Sequence, residues 1–246
     1  METVVPTAGV APTGVAAGTF PVSDAPVPIL MYHYVRPDPG PDDPVGQGLS
    51  VSPELFAAHL AYLAEQGYTT LTMAELADAW QGRRSLPSKP IVLTFDDGYR
   101  DFYTNAWPIL EQFGFSATVY VFDAVIDQPD YLTREMILEL DASGTIDFGS
   151  HTIYHNDLPG LSDRDAEEEI IGSKRVLEEL LGHPVRTFCY PHGSYSERDV
   201  ALVKAGGYAL AVTTEWGHAE PSMEPELLPR IRMWGWTTTE ELASWL

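Results

Sequence analysis

The chain has 246 residues, 44% hydrophobic and 11% aromatic, enough for a sizeable core in one large domain or two small ones and poor material for disorder or a coiled coil. No apolar run reaches the ~18 residues a membrane-spanning helix needs, and a single cysteine excludes an internal disulfide. Fourteen Lys and Arg against 36 Asp and Glu leave a formal charge of −22, which repels nucleic acid and tolerates or attracts a neutral or cationic polymer.

Of residues 1–22, all but Met1, Glu2 and Phe20 are Val, Ala, Gly, Pro or Thr, without a period. That composition predicts a flexible spacer over residues 1–26. No Lys or Arg precedes Arg36, so the stretch does not read as an intact signal peptide. It is expected to tether an export signal or anchor to one domain spanning 27–246.

Val27–Val35 predicts a strand, followed by a Pro/Gly/Asp loop to about Gly48. Ser52-Pro53-Glu54 starts a helix, with Pro in the turn that has no hydrogen bond to lose. Leu55, Phe56, His59, Leu60 and Leu63 then recur at helical spacing up to Gly67. Thr69–Leu71 reads as a short strand and Met73–Trp80 as a short helix. Pro90–Phe95 is a continuous apolar run, which suits a strand covered on both faces.

Helices are expected at about 101–113, 133–140, 163–181 and 196–205, the third opened by a Ser162/Asp165 capping box and closed at Gly182. Strands are expected at Ala117–Phe122, Thr145–Phe148, Thr187–Tyr190, Tyr208–Val212 and Leu227–Met233. This alternation predicts an α/β fold of one domain, a parallel sheet or a β/α barrel.

In such barrels reactive groups sit at the C-terminal ends of strands. Those ends carry His33, Asp96-Asp97-Gly98, His151 and Pro191-His192-Gly193. Adjacent side chains at a strand end diverge, so one Asp can bind a cation while the other faces substrate. An Asp-Asp-Gly turn without chemistry is the alternative. His151 and His155, four apart, are expected on one face of a helical turn, close enough to grip one ion. Two His and one carboxylate suit Zn²⁺ and leave a position open for water. Such an ion acidifies water and polarises a carbonyl. Asp96 could then accept the water proton, a backbone N–H of the Tyr190–Gly193 turn could face the oxyanion, and His33 could protonate the leaving group.

Thr94-Phe-Asp-Asp-Gly98, His151-Thr-Ile-Tyr-His155 and Phe188-Cys-Tyr-Pro-His-Gly193, in this order and spacing, resemble the motifs of the polysaccharide deacetylases, the family-four carbohydrate esterases. The resemblance covers about residues 27–233 and, with Tyr32-His-Tyr-Val35, is strongest to the branch containing poly-N-acetylglucosamine deacetylases. It implies a distorted (β/α)7-type barrel and metal-dependent removal of acetyl groups from an N-acetylglucosamine-containing polysaccharide. It further implies Asp96 as base, His33 as acid, and Asp97, His151 and His155 as ligands of Zn²⁺, or of Co²⁺ or Ni²⁺. A backbone amide near His192 is implied as oxyanion donor, with Tyr190 beside it.

Three positions depart from the family pattern. Cys189 stands where many members have the Arg that pairs with the base, and Arg230 is the candidate replacement or a mere surface residue. Asn156 stands where Pro is common after the His pair, and His192 where Tyr is usual. An O-acetyl xylan esterase with the same site, or a non-catalytic wall-binding module, are the rival readings. A monomer at the cell surface or outside the cell is expected, with an N-acetylated glycan as its partner and no nucleic acid. Tyr99, Trp234 and Trp236 could form a sugar platform, but Trp in a sequence is more often core. Cys189 is expected to be a buried thiol and His59 structural, while His183 and His218 show no partner signal.

Overall fold

The computed structural model describes Phe20 and residues 24–246; the expected spacer otherwise falls outside the described residues. The strands, in chain order, are β1 (Ile29–Tyr32), β2 (Tyr34–Val35), β3 (Ser50–Val51), β4 (Thr69–Leu71), β5 (Pro90–Phe95), β6 (Ala117–Val121), β7 (Ile146–Ser150), β8 (Thr187–Cys189), β9 (Leu210–Trp216) and β10 (Leu228–Arg232). The α-helices are α1 (Pro44–Leu49), α2 (Pro53–Glu65), α3 (Met73–Trp80), α4 (Trp107–Phe113), α5 (Arg134–Ala142), α6 (Asp163–Glu167), α7 (Ser173–Leu181), α8 (Glu197–Ala205) and α9 (Thr239–Trp245). Among the described residues no helix is long and apolar enough to cross a membrane.

Seven parallel strands among the described residues close a barrel in the order β1, β5, β6, β7, β8, β9, β10 and back to β1. β1 is the closing strand, pairing Tyr32 with Phe95 on one side and Met31 with Arg232 on the other. The distortion lies at β5, whose other edge is shared by two strands. β4 takes its first half, with Thr69 opposite Pro90, and β6 its end, with Phe95 opposite Val119. Side chains supply hydrogen bonds where the ladder splits: Thr70 Oγ1 accepts from Ser116 N–H at 2.7 Å and Thr118 Oγ1 from Met73 N–H at 2.8 Å.

Strand side chains alternate between faces. The sets Ile29/Met31/His33, Val92/Thr94/Asp96 and Leu228/Arg230/Arg232 therefore each share one face. Ile29, Val92 and Leu228 belong to the smaller core cluster, into which α3 packs Met73, Leu76 and Ala77. Leu30, Tyr32, Leu93, Phe95 and Ile231 belong to the larger cluster shared with the surrounding helices. Apolar residues thus fill the floor of the barrel, and the same alternation carries polar residues to its C-terminal mouth.

Several expectations need correction here. The strand predicted over Val27–Val35 breaks at His33, because β2 leaves the barrel to pair with β3. The loop predicted before Gly48 contains α1, capped by the Asp43 carboxylate on Gly46 N–H at 2.8 Å, with Pro44 at its first position. That start signal was present, but Gly46 and Gly48 inside six residues hid it. The long helix at 163–181 forms as α6, a π-helical turn at Glu168–Gly172 and α7. Ser162 caps it by accepting from Asp165 N–H at 3.3 Å, but Asp165 takes the Ser162 hydroxyl at 2.8 Å, so only half of the expected box forms. The closing helix α9, held by a reciprocal Thr238/Glu241 cap, was not foreseen.

Candidate active site

The buried strand β5 delivers both carboxylates to the mouth. Asp96 N–H still donates to Tyr32 O at 3.0 Å, so its side chain keeps the inward alternation. The next two residues adopt left-handed φ, 74° at Asp97 and 72° at Gly98, which swings Asp97 away from its neighbour. At Gly98 a Cβ would meet Val121 at 3.1 Å in that conformation, so glycine suits the turn on two counts.

Arg230, the candidate replacement for the Arg absent at Cys189, is no surface residue. It is fully buried and grips Asp96 bidentately, Nη1 to Oδ1 at 2.7 Å and Nη2 to Oδ2 at 2.8 Å. Its Nε donates to Thr213 O at 2.9 Å, beside the register shift between β9 and β10. Burial alone raises the Asp96 carboxyl, but the Arg230 charge and hydrogen bonds outweigh it and hold Asp96 well below the usual carboxylate range. Cys189 fills the space beside this pair. It is a buried thiol as expected, it receives an Arg230 N–H at 3.2 Å, and burial pushes its titration up.

His151 and His155 do come together, but not on a helical turn. The 151–155 segment is an irregular loop, with left-handed φ of 73° at Thr152 and 58° at His155. Glu169, from the π-helical turn, holds that loop. Its Oε2 accepts from Ile153 N–H at 2.8 Å and Tyr154 N–H at 2.9 Å, and its Oε1 from the Asn156 amide at 2.7 Å. Asn156 therefore gives the loop a hydrogen bond that Pro could not. Sequence reasoning missed Glu169, since an acid in an acidic helix looks like any surface residue.

The donor set fits a divalent ion. Asp97 Oδ1 lies 3.4 Å from both His151 Nε2 and His155 Nε2, which are 3.1 Å apart. Tetrahedral ligands at ~2.0–2.1 Å from Zn²⁺ would stand roughly 3.3–3.4 Å from one another. His151 Nδ1 donates to Cys189 O at 2.7 Å, which turns Nε2 toward the ligand side. Burial is the main cause that lowers His155, to about 4; burial also lowers His151, but its hydrogen bonds and the neighbouring charges outweigh it and raise the group, so an arriving ion would displace a proton there. Asp96, His151 and Cys189 form a second close group, but the Arg230 guanidinium already neutralises it.

His33 completes the wall, with Nε2 at 3.9 Å from Asp96 Oδ2. Its Nδ1 is buried with no hydrogen-bond partner among the described residues. Burial pushes its pKa down, and the charges of Asp96 and Asp97 partly restore it. In the Tyr190–Gly193 turn, Gly193 and Ser194 N–H groups are spent on Tyr190 and Pro191 carbonyls. The N–H of His192, whose φ is 58°, takes no partner among the described residues. These groups line a cleft of about 270 Å³ together with Tyr190, Thr214, Arg232, Val45 and Leu49. Arg232, Val45 and Leu49 were not foreseen; Arg232 follows Arg230 at the alternation of two, which could have marked it.

The remaining expectations divide. His59 is buried and structural, Nε2 donating to Thr237 O at 2.8 Å and Nδ1 accepting from Tyr32 at 3.2 Å. His183 has a partner after all in Asp141 at 2.9 Å, and His218 in Trp245 O at 2.8 Å. Tyr99 stacks between Tyr34 and Tyr131, with ring centroids at 3.7 and 5.1 Å, so both its faces are used. Trp234 and Trp236 are 37% and 61% exposed, which overturns the expectation that they are core.

Comparison with known proteins gives one answer. Residues 83–211 match the family model for polysaccharide deacetylase. YxkH of Bacillus subtilis, named as a polysaccharide deacetylase, is 33% identical over 209 residues, 85% of this chain and 72% of that one. The poly-β-1,6-N-acetyl-D-glucosamine N-deacetylase of Escherichia coli is 32% identical over 119 residues, 42% of this chain but 18% of that protein. The solved structure of Streptococcus pyogenes deacetylase PplD, in complex with acetate, superposes with a TM-score of 0.84 at 29% identity, covering 91% of this chain and 99% of that one.

Proposed function

The chain belongs to the polysaccharide deacetylase family, and from that premise we propose that it hydrolyses acetyl groups from an N-acetylglucosamine-containing polysaccharide with the help of a bound divalent ion. The observation that carries the reading is the pairing of an Asp97/His151/His155 ligand set with a separate carboxylate, Asp96, that Arg230 keeps ionised. In this reading residues 27–246 are the catalytic domain and 1–26 a spacer. A substrate of this class lies outside the plasma membrane, so the reading carries an extracellular or cell-envelope location.

Asp97, His151 and His155 would hold the ion, Zn²⁺ by the chemistry of the set, with Co²⁺ and Ni²⁺ compatible. When bound, it acidifies a water and polarises the acetyl carbonyl. Asp96 accepts the water proton; Oδ2 takes both Arg230 and the Cys189 thiol, while Oδ1 keeps a lone pair beside the one given to Arg230. Its lowered pKa keeps it ionised and able to accept a proton at neutral pH. His192 N–H is the uncommitted amide for the oxyanion. A leaving amine must be protonated, and His33 is near enough to Asp96 to carry that proton across the cleft. Burial keeps His33 neutral until the proton arrives, and the two Asp charges then stabilise its cation.

The test is acetate release from N-acetylglucosamine oligomers and, in parallel, from acetylated xylan, before chelation, after it, and after return of Zn²⁺. Release from the amino sugar that chelator abolishes and Zn²⁺ restores supports the reading. Faster release from xylan overturns the substrate, and no release from either overturns the activity.

A further inference from the structure

We propose that Trp234 and Trp236 form a second glycan subsite, stacking on a pyranose of the polymer outside the cleft that holds the reacting acetyl group. The proposal rests on the deacetylase reading for its ligand class. The two rings are parallel within 3°, with centroids 5.6 Å apart, and remain 37% and 61% exposed. Two exposed indoles side by side make one apolar patch, the kind of surface that marks a binding site.

The turn that carries them is rigidly built. At Gly235, between the two rings, a Cβ would stand 2.2 Å from Gln47 O and 2.6 Å from Ser50 O, so only glycine lets the backbone approach so closely. Gly235 N–H donates to Gly48 O at 3.0 Å. Thr237 closes the turn, its Oγ1 accepting from Trp234 N–H at 2.8 Å and its N–H donating to Trp234 O at 2.9 Å. Beneath the rings lies Gly48, whose Cβ position stands at ordinary contact distance from both indoles, 3.5 Å from Trp234 and 3.7 Å from Trp236, so α1 supports the pair. Rings fixed in advance lose little freedom when a ligand arrives.

The same elements form the wall of the cleft, which identifies the occupant. Arg232 lines the cleft and lies 4.9 Å over the Trp234 ring. Helix α1, on which the indoles rest, contributes Val45 and Leu49 to that wall. A polymer threaded into the cleft therefore continues over the two indoles. A pyranose offers them an apolar C–H face, with hydroxyls free for the ring edges, Arg232 and water. A second copy of the chain is the competing occupant.

The test titrates the whole chain with the dimer and the hexamer of β-1,6-linked N-acetylglucosamine, by calorimetry and indole fluorescence, and measures acetate release from both. Wild type should bind the hexamer about tenfold more tightly than the dimer, the scale of one good aromatic contact. W236A should lose that gain, with the loss falling on KM for the hexamer, and W236F should recover most of it. Equal hexamer affinity in wild type and W236A overturns the proposal, as does a hexamer bound no better than the dimer. Failure of wild type to release acetate overturns the deacetylase reading alone, because the binding comparison still decides the platform. Self-association in sedimentation that W236A abolishes gives the face to a second copy and overturns the glycan.

Discussion

Arg230 holds both oxygens of Asp96, at 2.7 and 2.8 Å, across 134 positions of sequence. This pair sets the charge of the proposed base. In Arg230→Met, Asp96 loses the largest of the interactions that oppose its burial, so its pKa rises and the acid limb of the rate profile moves to higher pH. Turnover at neutral pH should fall by ~10² or more. An unpaired buried carboxylate should also cost about 3–5 kcal/mol of stability. The wild-type pair stabilises the fold above the unfolded carboxyl pKa and loses that contribution as pH falls through the lowered folded value. A pH–rate profile with parallel denaturant melts checks both; an unmoved acid limb would mean that Asp96 does not set it.

Asp97→Ala, His151→Ala and His155→Ala should each lose bound metal and activity together, since the set of three has no spare member. Asp96→Asn should retain the metal and lose ~10²–10⁴ in turnover. Elemental analysis separates the two classes. Metal loss in Asp96→Asn would reverse the roles of the two Asp residues.

His33→Asn should slow release from N-acetyl sugars by roughly 10² or more, because an amine cannot leave unprotonated. Nitrophenyl acetate, whose phenolate leaves unaided, should suffer far less. Both rates are measured on one preparation of known metal content. Equal losses would assign His33 to shaping the site.

Glu169→Ala should leave Ile153 and Tyr154 N–H groups and the Asn156 amide without their acceptor. Metal affinity should drop by ~10–100-fold, the usual scale for a group that orients ligands. Glu169→Gln, which keeps one carbonyl oxygen, should recover part of it. Competition with a chromogenic chelator reads the affinity; wild-type affinity in the Ala variant would free the loop from this clamp.

Asp123, in the 3₁₀ turn after β6, has two buried carboxylate oxygens without a hydrogen-bond partner among the described residues. Burial pushes its pKa up to about 8. The folded state therefore binds a proton that the unfolded chain releases above pH ~4, and stability falls as pH rises from there to about 8. Asp123→Asn removes this titration and should be more stable at neutral pH by about 1–3 kcal/mol, with the gain vanishing below pH ~4. Urea melts across that range decide it, and a gain independent of pH would rule out the protonation argument.

The amino-acid sequence alone determined the alternation of strands and helices, the single α/β domain and the three motifs that meet at the barrel mouth. Each depends on near neighbours: a continuous apolar run for β5, and alternation that carries His33 and Asp96 to one end. Tertiary structure decided the rest. Arg230 reaches Asp96 only because β10 and β5 flank the same strand, β1, when the barrel closes. His151 and His155 converge through left-handed residues and a Glu169 clamp fourteen or more positions away, not through helical spacing. Trp234 and Trp236 face water because Gly235 docks their turn on α1, and no local pattern distinguishes that indole from a core one. Periodicity is a property of consecutive residues, whereas burial and ion pairing depend on which distant surfaces the closed barrel brings together.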